Sequence, residues 1–124
     1  MAWAMLSENP AATLVDVRTE AEWNFVGMPD LRSVGKQVRF VEWLSFPAGE
    51  PNEAFLDRAA DGLDRGAPVL LLCRSGHRSQ AAALLLADAG FTQAVNVEAG
   101  FEGDLDGDSH RHGGWKDHLP WVQR

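Results

Sequence analysis

The chain has one cysteine, Cys73, in 124 residues. A lone cysteine closes no intramolecular disulfide, so nothing in the sequence points to an oxidising compartment. There is no excess of basic residues: 11 Lys and Arg stand against 18 Asp and Glu, for a net charge of −7. With no dominant basic patch, nucleic acid is not an expected partner. The same charge favours a soluble monomer. Long hydrophobic runs are also missing. The longest wholly apolar stretch, "AAALLLA" at Ala81–Ala87, is far too short to cross a bilayer. Met1–Pro10 has neither a basic start nor an apolar signal core, so a cytoplasmic location is the default expectation. No repeat, low-complexity tract or linker interrupts the chain. One domain over residues 1–124 is expected, long enough to bury a real core.

What remains is an alternation of strand and helix signals. "AWAMLSENP" reads as a short helix with Trp3 and Leu6 on one side, and "TLVDV" (Thr13–Val17) as an apolar strand. Thr19 and Glu22 have the spacing of a capping box, which starts a helix carrying Trp23 and Val26 inward; Gly27, Pro29 and Asp30 end it. "QVRFV" (Gln37–Val41) alternates as a second strand, and "FPAGEPN" is a loop. A helix capped by Asn52 follows, with Phe55, Leu56, Ala59, Ala60 and Leu63 on one face and Gly66 beyond its end. "PVLLLC" reads as a strand buried on both faces. The helix from His77 to about Ala89 is apolar nearly all round and is expected to pack deep, stopped by Gly90. "AVNVE" (Ala94–Glu98) is another strand. The tail then offers Trp115, Leu119, Pro120 and Trp121 to dock on the body. The pattern predicts a three-layer α/β domain with a mainly parallel central sheet flanked by helices.

Ligands in such sheets bind beyond the carboxyl ends of the strands, and Cys73 sits at such an end. "CRSGHRS" joins a buried strand to a buried helix. Backbone N–H groups at a helix start are unpaired within the helix and favour anions. Arg74 and Arg78 add charge, and Gly76 lets the backbone curl. A cysteine there loses its proton easily. At a pKa of about 8.5 only ~3% is thiolate at pH 7, whereas at a pKa near 6 roughly 90% is. The competing reading is a buried structural cysteine, a small hydrophobe near surface arginines.

"LLLCRSGHRSQAAALLLADAGF" resembles the active-site strand, loop and helix of the rhodanese-like sulfurtransferase family. "LVDVRTEAEW" is similar to that family's first strand and helix, and "VNVEAGFEGD" and "GGWKDHLPW" to its closing segments, so the resemblance covers roughly residues 13–122. It implies that Cys73 is the persulfide-forming nucleophile. Arg74, Ser75, Gly76, His77 and Arg78 match the loop that cradles the outer sulfur, and Asp16 and Arg18 match a supporting polar pair. Ser79 follows, placed to hydrogen-bond a loop amide or the sulfur. The implied reaction moves sulfane sulfur from a donor such as thiosulfate to cyanide or a thiol. It needs no metal or organic cofactor. A protein sulfur-relay partner and a non-catalytic binding module are the alternatives the family allows.

Cysteine-dependent phosphatases separate cysteine and arginine by five residues. Here four, Arg74 to His77, separate Cys73 from Arg78, and Ser79 stands where that arginine would fall, so the tighter, sulfur-sized loop is favoured. "FVGMPDLRSVGKQ" departs from the family's glycine–histidine turn, and the pocket rim is expected to differ there. Family members often carry a further strand before the first helix, and only Met1 and Ala2 precede Trp3 here, which leaves that strand open. Arg18 is expected to pair with a nearby carboxylate, Glu22 to act chiefly as the cap, the His77 imidazole to face solvent, and Trp43 to line the pocket rim. "DLDGDS" (Asp104–Ser109) lacks the glycine and glutamate positions of a calcium loop. His110, His112 and His118 are irregularly spaced and lack cysteine partners, so no zinc site is expected from them.

Overall fold

The computed structural model describes residues 2–45 and 50–123. In chain order it contains α1 (Ala2–Glu8), β1 (Thr13–Asp16), α2 (Glu20–Phe25), β2 (Met28–Pro29) and β3 (Arg39–Phe40). The pair β4 (Leu44–Ser45) and β5 (Glu50–Pro51) comes next, then α3 (Phe55–Ala60), β6 (Val69–Leu72), α4 (His77–Asp88) and β7 (Ala94–Asn96). The hairpin β8 (Gly103–Leu105) and β9 (Arg111–Gly113), helix α5 (Trp115–His118) and β10 (Trp121–Val122) complete the chain.

Four strands form the central parallel sheet in the order β3-β1-β6-β7. The chain moves outward one way from β1 to β3 and the other way from β6 to β7. The switch in direction therefore lies between β1 and β6, where an open α/β sheet leaves a crevice at its carboxyl edge. Register sets what meets there. Asp16 lies beside Leu72 and Asn96 beside Leu71, so the residues that leave β1, β6 and β7 emerge together.

Side-chain alternation along β1 and β6 splits the core into two layers. Val15, Val17, Val69, Leu71 and Cys73 face Phe55 of α3 and Ala82, Ala83 and Leu86 of α4. Leu14, Leu70 and Leu72 face Leu6 of α1, Phe101 and Trp115. β6 is buried at every position, as its unbroken apolar run requires.

The elements match the sequence pattern with instructive exceptions. α2 begins with the full capping box: the Thr19 side chain accepts from Glu22 N and the Glu22 carboxylate accepts from Thr19 N. α3, in contrast, starts at Phe55 and not at Asn52. Asn52 Oδ1 accepts from Ala54 N at 3.1 Å and its Nδ2 donates to Glu42 O at 2.8 Å, so the amide builds a turn ahead of the helix instead of capping it. α3 also ends at Ala60, and Leu63 packs on the core from beyond its end. α4 is not enclosed all round. Ser79, Ala82, Ala83 and Leu86 are buried at i, i+3, i+4 and i+7, while Leu84 on the far side is 62% exposed. Trp43 packs edge-on against Phe55 at 5.0 Å, in the core layer and not at a pocket rim. Phe46–Gly49, in the segment read as a loop, lie outside the described residues.

The tail docks as its apolar residues require. Trp115 is buried, meets Trp3 edge-on at 6.0 Å and donates from Nε1 to Pro120 O at 2.7 Å. β10 pairs antiparallel with β2, which closes the C-terminal segment over the end of α2. Between these lies the hairpin β8–β9, which the acidic, glycine-rich sequence concealed.

Leu71 has no solvent exposure and fills the layer under α4. Leu71→Ala is expected to cost about 2–5 kcal/mol, the usual range for a deleted core leucine. Urea unfolding measures this, and a loss below about 1 kcal/mol would mean that the layer collapses freely around the gap.

Candidate active site

Cys73 is the residue after β6. Two features turn the chain there into a cradle. Its carbonyl oxygens are drawn away from the sulfur: Phe101 N donates to Cys73 O at 2.7 Å, and Glu102 N and Gly103 N donate to Arg74 O at 3.0 and 3.3 Å. Gly100 permits this approach, since a Cβ there would run into the Cys73 and Arg74 backbone. Gly76 then takes the left-handed conformation (φ 102°) and opens α4 directly. A Cβ on Gly76 would strike the Glu98 carbonyl oxygen. With the carbonyls turned outward, the amides of the loop turn inward.

The amides meet at one atom. Gly76 N donates to Cys73 Sγ at 3.1 Å, and Ser79 Oγ lies 3.2 Å from it. Burial pushes the thiol pKa up. Hydrogen bonds from the Ser79 hydroxyl and from the amides of Ser79, Gly76 and Ser75 outweigh that, and the thiol is held below its ordinary value. Cys73 itself is only 1% exposed, so the sulfur lies at the floor of the loop and not on its surface.

Ser79 has a second contact. Its Oγ is 2.5 Å from Asn96 Oδ1, and Asn96 Nδ2 donates to Gly76 O at 3.1 Å, which fixes the amide's orientation. A hydroxyl has one proton to give. Cys73 Sγ and Asn96 Oδ1 therefore compete for the Ser79 proton, and Asn96 positions the hydroxyl beside the sulfur. Asn96 was not singled out by sequence. Its only signal was an amide closing the short apolar strand "AVN".

The two arginines of the loop do different things. Arg78 donates to the Glu22 carboxylate through Nη1 and Nη2, at 2.7 and 3.0 Å. The Glu22 hydrogen bond leads the causes that raise the Arg78 pKa, and the nearby Cys73 and Asp16 charges act in the same direction. For Glu22, burial raises the pKa, but Arg78 and the Thr19 amide together hold it below the usual carboxylate range. One carboxylate therefore caps α2 and clamps α4 to it. Arg74 is exposed, and its fixed part is its carbonyl; His77 is exposed as well.

Asp16 and Arg18 form a fully buried pair just below. Arg18 Nη2 donates to Asp16 Oδ2 at 2.7 Å and to Gly27 O at 2.8 Å, and its guanidinium stacks over Phe101 at 4.2 Å. Arg18 has no exposure, which sets it among supports and away from solvent. Its Nη1 is one of two buried side-chain polar atoms without a partner among the described residues, the other being Trp23 Nε1. Beside the loop lies a depression of about 320 Å³ lined by Ser75, Gly76, His77, Gln80, Asn96, Glu98 and Asp104.

Residues 1–105 match the sequence pattern of one known family. The chain belongs to the rhodanese-like domain family. Similar proteins include an uncharacterized protein of Rickettsia conorii, 39% identical over 121 residues, which cover 97% of this chain and 90% of the relative. An uncharacterized protein of Rickettsia prowazekii is 38% identical over 122 residues, with the same coverage. Among solved structures, Rv0390 of M. tuberculosis is 53% identical and superposes with a TM-score of 0.90, covering 99% of this chain and 92% of that one. Alr3790 of Anabaena shares the fold at 21% identity and a TM-score of 0.60, over 98% of this chain and 75% of that one. The rhodanese-like fold expected from the cysteine loop is thus confirmed.

Because hydrogen bonds to sulfur do most of the work, Ser79→Ala is expected to raise the midpoint of the Cys73 alkylation profile against pH, measured with iodoacetamide. Arg78→Ala is expected to shift it less, since Glu22 already balances that guanidinium. An Arg78 shift larger than the Ser79 shift would reverse this ordering.

Proposed function

We propose that this rhodanese-like protein is a sulfurtransferase that carries sulfane sulfur on Cys73. The convergence of Gly76 N and Ser79 Oγ on Sγ supports it most directly. The Cys73 thiolate attacks the outer sulfur of a donor such as thiosulfate. The donor's sulfur–sulfur bond breaks, and sulfite leaves with the electron pair. Cys73 is then a persulfide, with its terminal sulfur among the loop amides. In the second half, cyanide or a thiolate acceptor bonds to that terminal sulfur and the electron pair returns to Sγ. Cyanide leaves as thiocyanate, and a thiolate leaves as a new persulfide.

Each half-reaction places negative charge on sulfur under the same donors. Fixed amides need no reorganisation as that charge moves, which is the general advantage of a preorganised site. The Ser79 hydroxyl, held beside the sulfur by Asn96, is a further polar neighbour of that charge. Asp16, Arg18 and the Glu22–Arg78 clamp hold the loop's surroundings, and Arg74 and His77 lie at its exposed edge.

One observation bears on the donor. Glu98 and Asp104 stand on the wall of the depression beside the loop. Two carboxylates disfavour a dianion, so a persulfide borne on a neutral or basic surface of a partner protein is the better-matched physiological donor, with thiosulfate a slower surrogate. A phosphatase reading fares worse. It needs an arginine aimed into the loop, and Arg78 is turned to Glu22.

Whole-protein mass spectrometry tests the proposal. Incubation with thiosulfate or glutathione persulfide is expected to add one sulfur atom. Cyanide should remove it, and Cys73→Ser should not gain it. No gain with either donor would leave a binding module as the function of the fold.

A further inference from the structure

We propose that the β8–β9 hairpin is a binding site for a divalent transition ion of the Zn²⁺ class, held by Asp106, His110 and His112. The strand register builds it. Asp104 lies opposite His112 and Leu105 opposite Arg111. Continuing the pairing by one step puts Asp106 opposite His110. Side chains alternate between faces along a strand, so the two imidazoles, two residues apart, share one face with both aspartates. Irregular spacing along the chain concealed this, because the histidine–aspartate match is made across the hairpin. His118, in α5, takes no part.

The ligand atoms of Asp106, His110 and His112 lie within 4.8 Å of one another, and all three residues are exposed. Zn²⁺ bonds of about 2.0 Å need ligand atoms about 3.3 Å apart in a tetrahedron. All three side chains are exposed, so their torsions are free to adjust toward that spacing, the Asp106–His112 pair opening from 2.6 Å. The carboxylate is already aimed. Asp106 Oδ1 accepts from Asp108 N at 2.8 Å and from His110 N at 2.9 Å, which leaves Oδ2 toward His112 Nε2 at 2.6 Å. Outer hydrogen bonds that orient a ligand are a recurring feature of metal sites.

The donor set chooses the ion. Two imidazole nitrogens and one carboxylate suit Zn²⁺, Co²⁺, Ni²⁺ or Cu²⁺, whereas Ca²⁺ and Mg²⁺ prefer all-oxygen shells. The nearest cation on the hairpin, Arg111, alternates to the other face and donates to Gly103 O at 2.8 Å. With three protein ligands, the remaining positions fall to water. The ion would brace the hairpin, whose first residue, Gly103, donates to the Arg74 carbonyl of the cysteine loop.

The test uses the untagged full chain in a Cys73→Ser background, which removes the thiolate as a competing ligand. Zn²⁺ is titrated against a chromophoric chelator, and thermal unfolding is followed with and without the ion. One Zn²⁺ per chain and a raised Tm are expected. His110→Gln, His112→Gln and Asp106→Asn should each weaken binding by about tenfold or more, the scale of lost metal-site interactions. Circular dichroism reports whether each variant is folded, and the milder Asp106→Asn keeps the test open if a histidine variant is not. Absence of Zn²⁺ binding, or binding unchanged in all three variants, would overturn the proposal.

Discussion

The structure depends on where the peptide groups of one short loop point. The N–H groups of Ser75, Gly76 and Ser79 are directed at Cys73 Sγ, while the carbonyls of Cys73 and Arg74 are held on the other side by the amides of residues 101–103. Neither arrangement stands without the other. Unpaired carbonyls in a buried turn would cost on the order of 1–3 kcal/mol each, and inward carbonyls would repel an anion. Gly76 and Gly100 are required at the two points of closest approach. Their role is to let two stretches of backbone touch.

The rest of the fold keeps that loop in place. The switch between β1 and β6 delivers Asp16, Cys73 and Asn96 to one edge of the sheet. Asp16 and Arg18 brace the floor, and Arg18 ties β1 both to Gly27, past the end of α2, and to Phe101 in the segment that holds the loop. Removing one partner of such a buried pair is far costlier than replacing both, because it strands a charge. Glu22 caps α2 and binds Arg78, so α2 and α4 share one carboxylate. That sharing moderates Arg78. Its charge remains close to the sulfur but is largely balanced, which leaves the neutral hydrogen-bond donors as the main influence on the thiol.

Much of this could be read from sequence where one local signal governs. The unbroken run of Val69–Leu72, the Thr19–Glu22 capping box and the turn at Gly76 each act over a few residues, and each is found as expected. What could not be read depends on partners far along the chain. Glu22 and Arg78 are 56 positions apart, and nothing local says that the capping carboxylate also faces a guanidinium. Asn96 gains its role only because β7 pairs with β6 in parallel. Asn52 has the composition of a cap, yet a longer-range bond to Glu42 O draws it into a turn. Leu84 looks like core from its neighbours and is exposed because α4 presents only one face to the sheet. The hairpin β8–β9 escaped notice because its strands are three residues each and rich in glycine and charge, with no apolar alternation to betray them.

Ultraviolet absorbance of the thiolate, followed across pH in the native protein and in Cys73→Ser as a blank, tests the central claim most directly. The account predicts a single titration, absent from the blank, with a midpoint below the ordinary cysteine value of about 8.5. A midpoint at or above that value would show that burial outweighs the hydrogen bonds, and the loop would then not be a cradle for ionised sulfur.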